Sequence, residues 1–400
     1  MSKKARYSII FTVLLSLTLQ VSAARAKDLK WLKTAIDRSE DQLSAAAEKY
    51  KNSQMSPRTF EKGKIILAGS TDWTCGFFPG SLWYLYEISK NELFRRQAIQ
   101  YTAFFQSTQY RTGTHDVGFI LNCSYGNGYR ITGNPAYKKV LVTGANSLMT
   151  RFHARIGLIK SWDGRRNWQY PVIIDNMMNL ELLCDVTGIT NDSTYVQASI
   201  SHADRTLINH FRLDNSCFHV INYDSISGKV ISKETHQGYS NGSSWARGQG
   251  WALYGYTMMY RETKDLRYLE QARKVAVYLL NHPNLPKDKI PFWDFNAPNI
   301  PNEPRDASAA AIYASALLEL SGFVENGTVF FHAAEQMLIT LSSPEYLAEK
   351  GKNGLFILKH STGNWPKNTE IDTPLNYADY YYLEALGRYM KIKGITGKDL

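Results

Sequence analysis

Apolar positions recur at helical spacing from residue 29 almost to the end of the chain, and they do so in two distinct ways. Six segments are apolar on most faces, rich in aromatic, Gly and Ala residues, and nearly free of Lys: Gly76–Ser89, Asp116–Ile131, Asp175–Val186, Arg247–Arg261, Asp306–Leu320 and Ala378–Met390. A helix that is apolar all round is a buried one. Between them run six segments with one apolar stripe and one charged face: Leu29–Tyr50, Glu92–Tyr110, Pro135–Phe152, Ser193–Phe211, Lys264–His282 and Val324–Leu341. In Leu266–Leu280, for example, Leu269, Ala272, Val275, Ala276 and Leu279 repeat along one side while Glu270, Arg273 and Lys274 face away. Strand-like alternation is scarce. Striped helices alternating with buried ones predict an outer ring around an inner ring, an all-α (α/α)6 toroid forming one domain over residues 27–400. An irregular bundle or a solenoid is the competing arrangement. The six units differ in length and share no strict motif, which weighs against a solenoid.

The first residues lie outside this pattern. Lys3, Lys4 and Arg6 precede the apolar run Ser8–Leu19, and Ala24-Arg25-Ala26 offers small residues for cleavage. This is the layout of a secretory signal over residues 1–26, and the run is short for a membrane span of about 20 residues. The expectation is an exported, periplasmic protein with no membrane association after processing. Removing residues 1–26 deletes four cations and no acid, so the formal charge of +10 becomes +6. A basic chain favours anionic partners. The basic residues are scattered and form no nucleic-acid-binding motif, so nucleic acid is not expected. Cys75, Cys123, Cys184 and Cys217 lack metal-type spacing. Export would permit disulfides among them; four buried thiols are the alternative.

In a double ring the inner helices begin at one end of a shared cavity, so their starts carry the candidate chemistry. Two open on Asp: Asp116 in His115-Asp116-Val117-Gly118-Phe119, and Asp175 in Ile173-Ile174-Asp175-Asn176-Met177-Met178-Asn179. Asp is a favoured N-cap, which is the structural alternative for both. Asp175 has apolar flanks, and burial together with a neighbouring carboxylate raises a carboxyl's pKa towards general-acid use. A second dense stretch runs from Glu234-Thr235-His236-Gln237-Gly238 into Trp245-Ala246-Arg247-Gly248-Gln249-Gly250-Trp251. Trp faces suit sugar rings, and Arg makes forked bonds to carboxylates; core aromatics and a structural salt bridge are the alternative. Trp73, His115, Trp162 and His219 could complete such a pocket. No His-Glu-x-x-His, P-loop, dinucleotide fingerprint or Gly-x-Ser-x-Gly element occurs.

These motifs, with Trp73-Thr74-x-Gly76-Phe77-Phe78-Pro79-Gly80 and Ala378-Asp379-Tyr380-Tyr381, resemble in order the signatures of glycoside hydrolase family 88, the unsaturated glucuronyl hydrolases. The resemblance spans essentially the whole mature chain. It implies an (α/α)6 toroid and a hydrolase that releases a 4,5-unsaturated uronic acid from lyase-generated oligosaccharides by hydrating the C4=C5 vinyl ether. It further implies that Asp175 is the acid and base, that Asp116 assists it, and that His115, His219, His236, Gln237 and Arg247 contact substrate. Trp73, Trp162, Trp245 and Trp251 would be pocket walls, with Trp168 competing for the place of Trp162. The related family 105, unsaturated rhamnogalacturonyl hydrolases, shares the fold and the Trp-x-Arg-Gly-x-Gly-Trp stretch. The Ile-Ile-Asp-Asn-Met-Met and His-Asp-x-Gly-Phe elements stand closer to family 88. A sugar epimerase on the same ring would need paired catalytic His residues, and a non-catalytic sugar binder would not need both Asp116 and Asp175. The loop His360–Asn368 precedes the last inner helix, and Ser361, Thr362, Lys367 and Asn368 could bind a sulfate on the leaving sugar. The implied requirement for cofactor or metal is none. Turnover is therefore expected to persist in excess chelator, and loss on chelation with recovery on adding a divalent ion would reveal a missed site.

Overall fold

A computed structural model describes residues 29–400. The signal read over residues 1–26 lies outside the described residues. Helix α1 covers residues 29–50. It is followed by α2 (Phe77–Ser89), α3 (Glu92–Ala103), α4 (Val117–Leu121), α5 (Asn127–Thr132), α6 (Pro135–Met149), α7 (Asn176–Thr190), α8 (Thr194–Asn209), α9 (Ala246–Thr263), α10 (Leu266–Asn281), α11 (Ala307–Ser321), α12 (Thr328–Leu341) and α13 (Asn376–Lys393). Contacts run from α2 to the α4–α5 unit, then to α7, α9, α11, α13 and back to α2, closing an inner ring. Helices α3, α6, α8, α10 and α12 pack outside it, and α1 joins them through Tyr101 to Ala47 and Trp31 against Tyr389. The double ring is as the hydrophobic pattern predicts.

Burial follows the two patterns. Most positions of α9, α11 and α13 are inaccessible to solvent, whereas α10 buries only one stripe that includes Tyr268, Ala272, Val275, Ala276 and Leu279. Asp116–Ile131, expected as one helix, is interrupted: α4 passes through a π turn at Asn122–Gly126 before α5. Gly126 leaves space for the Asn122 side chain there, because a Cβ would come within 2.6 Å of Asn122 Oδ1. The stripe of Glu92–Tyr110 likewise ends in a 3-10 turn at Gln106–Tyr110. All four cysteines are buried free thiols. No helix among the described residues is long and apolar enough to cross a membrane.

The two ends of the barrel are built differently. At one end each inner helix passes into the next outer helix within a few residues. Lys90-Asn91, Gly133-Asn134 and Lys264-Asp265 each place a left-handed residue before an Asn or Asp that caps the next helix. The returns from outer to inner helices are long and hold every described strand. One hairpin pairs β1 (Ser56–Glu61) with β2 (Lys64–Ala68), and a short one pairs β3 (Phe152–His153) with β4 (Leu158–Ile159). A three-stranded antiparallel sheet joins β5 (Tyr170–Ile173), β6 (Val220–Tyr223) and β7 (Val230–Glu234). The candidate chemistry therefore sits where the long loops gather.

Candidate active site

Strand register assembles the centre. Ile173 pairs with Val220 and Val220 with Glu234, so the residues just outside those positions, Asp175, His219 and Thr235–Gln237, become neighbours. The backbone N–H of Ile174 donates to His219 O at 3.0 Å, which fixes His219 beside the start of α7.

Asp175 occupies the N-cap position of α7 but caps nothing, and Asp116 at the head of α4 makes no capping bond either. Asp306 does cap α11, accepting from Ser308 N and Ala309 N. A side chain that could satisfy helix N–H groups and does not is available for other work. Asp175 is buried, 8 % exposed, and its Oδ2 has no hydrogen-bond partner among protein atoms. Burial pushes its carboxyl up to about 7; Arg247 opposes the rise and Asp116 adds to it. The indole Nε1 of Trp251 is turned towards Asp175 without closing a full hydrogen bond.

His219 Nε2 faces Asp175 Oδ2 at 3.6 Å. Its Nδ1 accepts from the backbone N–H groups of His236 at 3.1 Å and Gln237 at 3.2 Å. Burial holds the ring well below its usual pKa, so it is neutral and its one proton sits on Nε2, directed at Asp175. Asp116 is held similarly. Thr114 Oγ1 donates to its Oδ2 at 2.7 Å, and Nε2 of the fully buried His115 lies 3.3 Å from its Oδ1.

Aromatic rings wall the pocket. Trp73 packs against Phe77, Phe119 and Tyr377, and Trp251 packs behind it against Phe119 and Tyr381. Trp245 lies 4.5 Å from His219, centroid to centroid. Trp162 and Trp168 stack at 6.0 Å, so the two do not compete for one place, and Trp162 also meets His236 at 5.3 Å. The guanidinium groups of Arg165 and Arg166 lie over Trp162 and Trp168 at 4.4 and 4.7 Å. His236 is pushed down to about 4, first by burial and then by Arg165, Lys367 and Arg166. Lys367, which is exposed, is thus among the charges that bear on His236.

Two readings of the sequence need correction. Arg247 is not free to fork onto a substrate carboxylate: its Nη1 donates to Asp306 Oδ2 at 3.1 Å and Thr362 O at 2.6 Å, and its Nη2 to Gly363 O at 2.7 Å. It is sandwiched by Trp245 and Tyr377, leaves only Nε unpaired, and acts on Asp175 through its charge. Ser361 is completely buried, bridged through its backbone to Thr373, so its hydroxyl does not reach the surface. Thr362 Oγ1 is likewise taken, by Arg305 O. Gln237 donates to Gly363 O at 3.0 Å and so ties its loop to the Arg247 loop. Thr114, Asn176, Asn179, Arg165 and Arg166 also stand at the site without a signature of their own in the sequence. Asn176 and Asn179 stand inside the Asp175 motif, and only their positions marked them.

An inner ring whose mouth holds one carboxyl raised to about 7, a second carboxyl group and a lining of Trp and His defines a sugar-processing enzyme, since aromatic faces and paired carboxyls are the tools of that chemistry. The family model described as Glycosyl Hydrolase Family 88 matches residues 46–319, and the chain belongs to that family of glycoside hydrolases. It is 50% identical over 321 residues to an unsaturated glucuronyl hydrolase of Formosa agariphila, covering 80% of each chain. It is 32% identical to an unsaturated chondroitin disaccharide hydrolase of Streptococcus pneumoniae, covering 89% of this chain and 91% of that one. Among solved structures, an unsaturated glucuronyl hydrolase specific for heparin superposes with a TM-score of 0.90 at 52% identity, over 92% of this chain and 99% of the other.

Proposed function

We propose that this protein removes the terminal 4,5-unsaturated uronic acid from glycosaminoglycan oligosaccharides left by polysaccharide lyases, and that it does so after export to the periplasm. The observation that carries this reading is Asp175: a buried, uncapped carboxyl raised to about 7 beside Asp116, in an aromatic pocket. Held protonated, it can deliver its proton to C4 of the vinyl ether, which leaves cationic character at C5 and the ring oxygen. Water then adds at C5, and the Asp175 carboxylate takes back a proton from it. The C4=C5 bond has gained one water, and the C5 hemiketal opens, exposing C1 so that the leaving sugar departs. One carboxyl is acid and then base, with no second carboxylate needed as nucleophile or base, unlike the two-carboxylate arrangement of ordinary glycosidases. The carboxylate formed midway is stabilised by the His219 Nε2–H group directed at it and by the Arg247 charge behind it. The test is incubation with a panel of unsaturated disaccharides, followed by absorbance of the conjugated uronate. Absorbance should fall for glycosaminoglycan-derived members; no fall with any of them rejects the reading.

The rim supports an anionic, sulfated substrate. Arg165, Arg166 and Lys367 all bear on His236 at the cavity mouth, and Lys367 is exposed. Relatives named for heparin and for chondroitin disaccharides point to the same substrate class. With Ser361 and Thr362 buried, Lys367 is the charged donor of its loop left to meet a sulfate on the leaving sugar. Lys367→Ala is expected to weaken a disaccharide sulfated on that sugar by roughly 1–3 kcal/mol, the range for hydrogen bonds to charged groups, and to leave the unsulfated counterpart nearly unchanged. Equal effects on the two, read as kcat/KM, would remove the loop from sulfate recognition.

A further inference from the structure

The first turns of α7 do more than present Asp175. Asn179, fully buried, lies where α4 and α7 approach so closely that a Cβ on Gly118 would stand 2.5 Å from Asn179 Cα. Its amide orientation is set by chemistry: the Phe119 N–H can donate only to an oxygen, and it meets Asn179 Oδ1 at 2.8 Å. The amide nitrogen therefore faces the other way, 3.4 Å from His115 Nδ1. An NH2 group has only hydrogens to offer, so Nδ1 must carry a lone pair.

The opposite side of the ring is arranged in reverse. Asn176 Nδ2 donates to Ile159 O at 2.7 Å, which turns Asn176 Oδ1 away from that strand, where it closes no hydrogen bond. Asp116 Oδ1 lies 3.3 Å from Nε2. His115 Nε2 is buried and closes no full hydrogen bond, and the carboxylate oxygen it faces is an acceptor. A donor stands at Nδ1 and an acceptor faces Nε2, and only one neutral tautomer satisfies both sides.

We propose that Asn179 is a positioning residue that locks His115 as the Nε2–H tautomer and through it aims Asp116. With Nε2–H directed at Oδ1 at 3.3 Å and the Thr114 hydroxyl bonded to Oδ2, the Asp116 carboxylate is addressed at both oxygens, which holds it off the helix it could have capped. The helix that carries the acid thus also sets the state of the second carboxylate, across the α4–α7 contact. The logic is that of any catalytic imidazole whose tautomer is fixed by the partner of its other nitrogen. Asp116, Arg151 and Arg165 bear on the His115 ring, as does His202 from α8, while Asp175 from α7 feels Asp116. Burial outweighs them and keeps the ring neutral.

This inference rests on the reading of Asp116 as a working carboxylate. Its test uses the full protein with 15N-labelled histidine, the His115 signals being assigned by their absence in His115→Gln. Two-bond 1H–15N correlations of the wild type should show a neutral Nε2–H ring at about pH 8. A Nδ1–H or charged ring overturns the proposal, and this needs no substitution of Asn179. Asn179→Asp keeps the acceptor for Phe119 N–H but puts an oxygen opposite Nδ1, so His115 should acquire a proton on Nδ1. In that variant kcat should fall about tenfold to a hundredfold, the range for losing a residue that orients another. KM should stay within about threefold, because the pocket walls are untouched. A folded Asn179→Asp protein with an unchanged ring, or with a changed ring and normal kcat, overturns the proposal. Either result would leave the wider reading standing if Asp175→Asn still abolished turnover.

Discussion

Asp175→Asn is expected to lower turnover by about 10² to 10⁴, the usual range for general acid–base work, while substrate still binds. Asn has nearly the same shape, keeps the start of α7 intact and cannot give up a proton. No capping bond is lost, because Asp175 makes none. The expected signature is a fall in kcat with little change in KM, read from the absorbance of the unsaturated uronate. Near-normal turnover in a folded variant would remove Asp175 from the chemistry. The wild type should lose activity as pH rises through about 7, because the acid must be protonated to act.

The same carboxyl has an opposite consequence for stability. Its pKa is higher in the folded chain than in the unfolded one, where an Asp titrates near 4, so the folded state holds the proton more tightly. Its contribution is fully present below about pH 4 and is lost as pH rises towards about 7. Asp175→Asn escapes that loss. The variant should therefore melt at a higher temperature than the wild type above pH 7, with the difference vanishing near about pH 4. A working acid that destabilises its own fold at neutral pH is the expected cost of a buried titrating group.

The rings were legible because their cause is local: a helix buried on all sides and a helix buried on one side leave different marks in the sequence. The aromatic walls and Asp175 itself were legible for a similar reason, lying at the starts of segments such as Asp175–Val186. What was not legible depended on distance or on ambiguity. Asp116, Asp175 and Asp306 all stand at helix starts and look alike in sequence, yet only Asp306 caps. Their difference comes from Thr114, His115 and His219, which strand pairing and helix packing bring in. The π turn after α4 comes from the fit of Asn122 beside Gly126 and carries no periodicity of its own. Arg247 was read through its neighbours Trp245 and Trp251, but its hydrogen-bond partners Asp306 and Thr362 lie 59 and 115 residues away. No local pattern announces them.

The buried Arg247–Asp306 pair has a large measurable consequence. Arg247 and Asp306 form an ion pair almost without solvent access, and removing one member of such a pair strands the other as a buried charge. Arg247→Met keeps an apolar side chain between Trp245 and Tyr377 and removes the guanidinium. It is expected to cost about 3 kcal/mol, the lower end of the range for breaking a buried pair, because Asp306 still accepts from Ser308 and Ala309. Part of the cost is also the lost bonds to the carbonyls of Thr362 and Gly363, which hold the 361–363 segment against the start of α9. Adding Asp306→Asn should restore much of the stability, since the stranded charge is then gone. Urea unfolding of the wild type and both variants measures this, and a cost for Arg247→Met below about 1 kcal/mol would show that the pair is not the anchor described. A second readout separates structure from chemistry. The Arg247 charge holds Asp175 below the value that burial alone would give it. Without that charge Asp175 keeps its proton to higher pH, so the alkaline limb of the remaining activity should move upward. A substrate-binding role for the guanidinium would instead raise KM and leave the limb where it was.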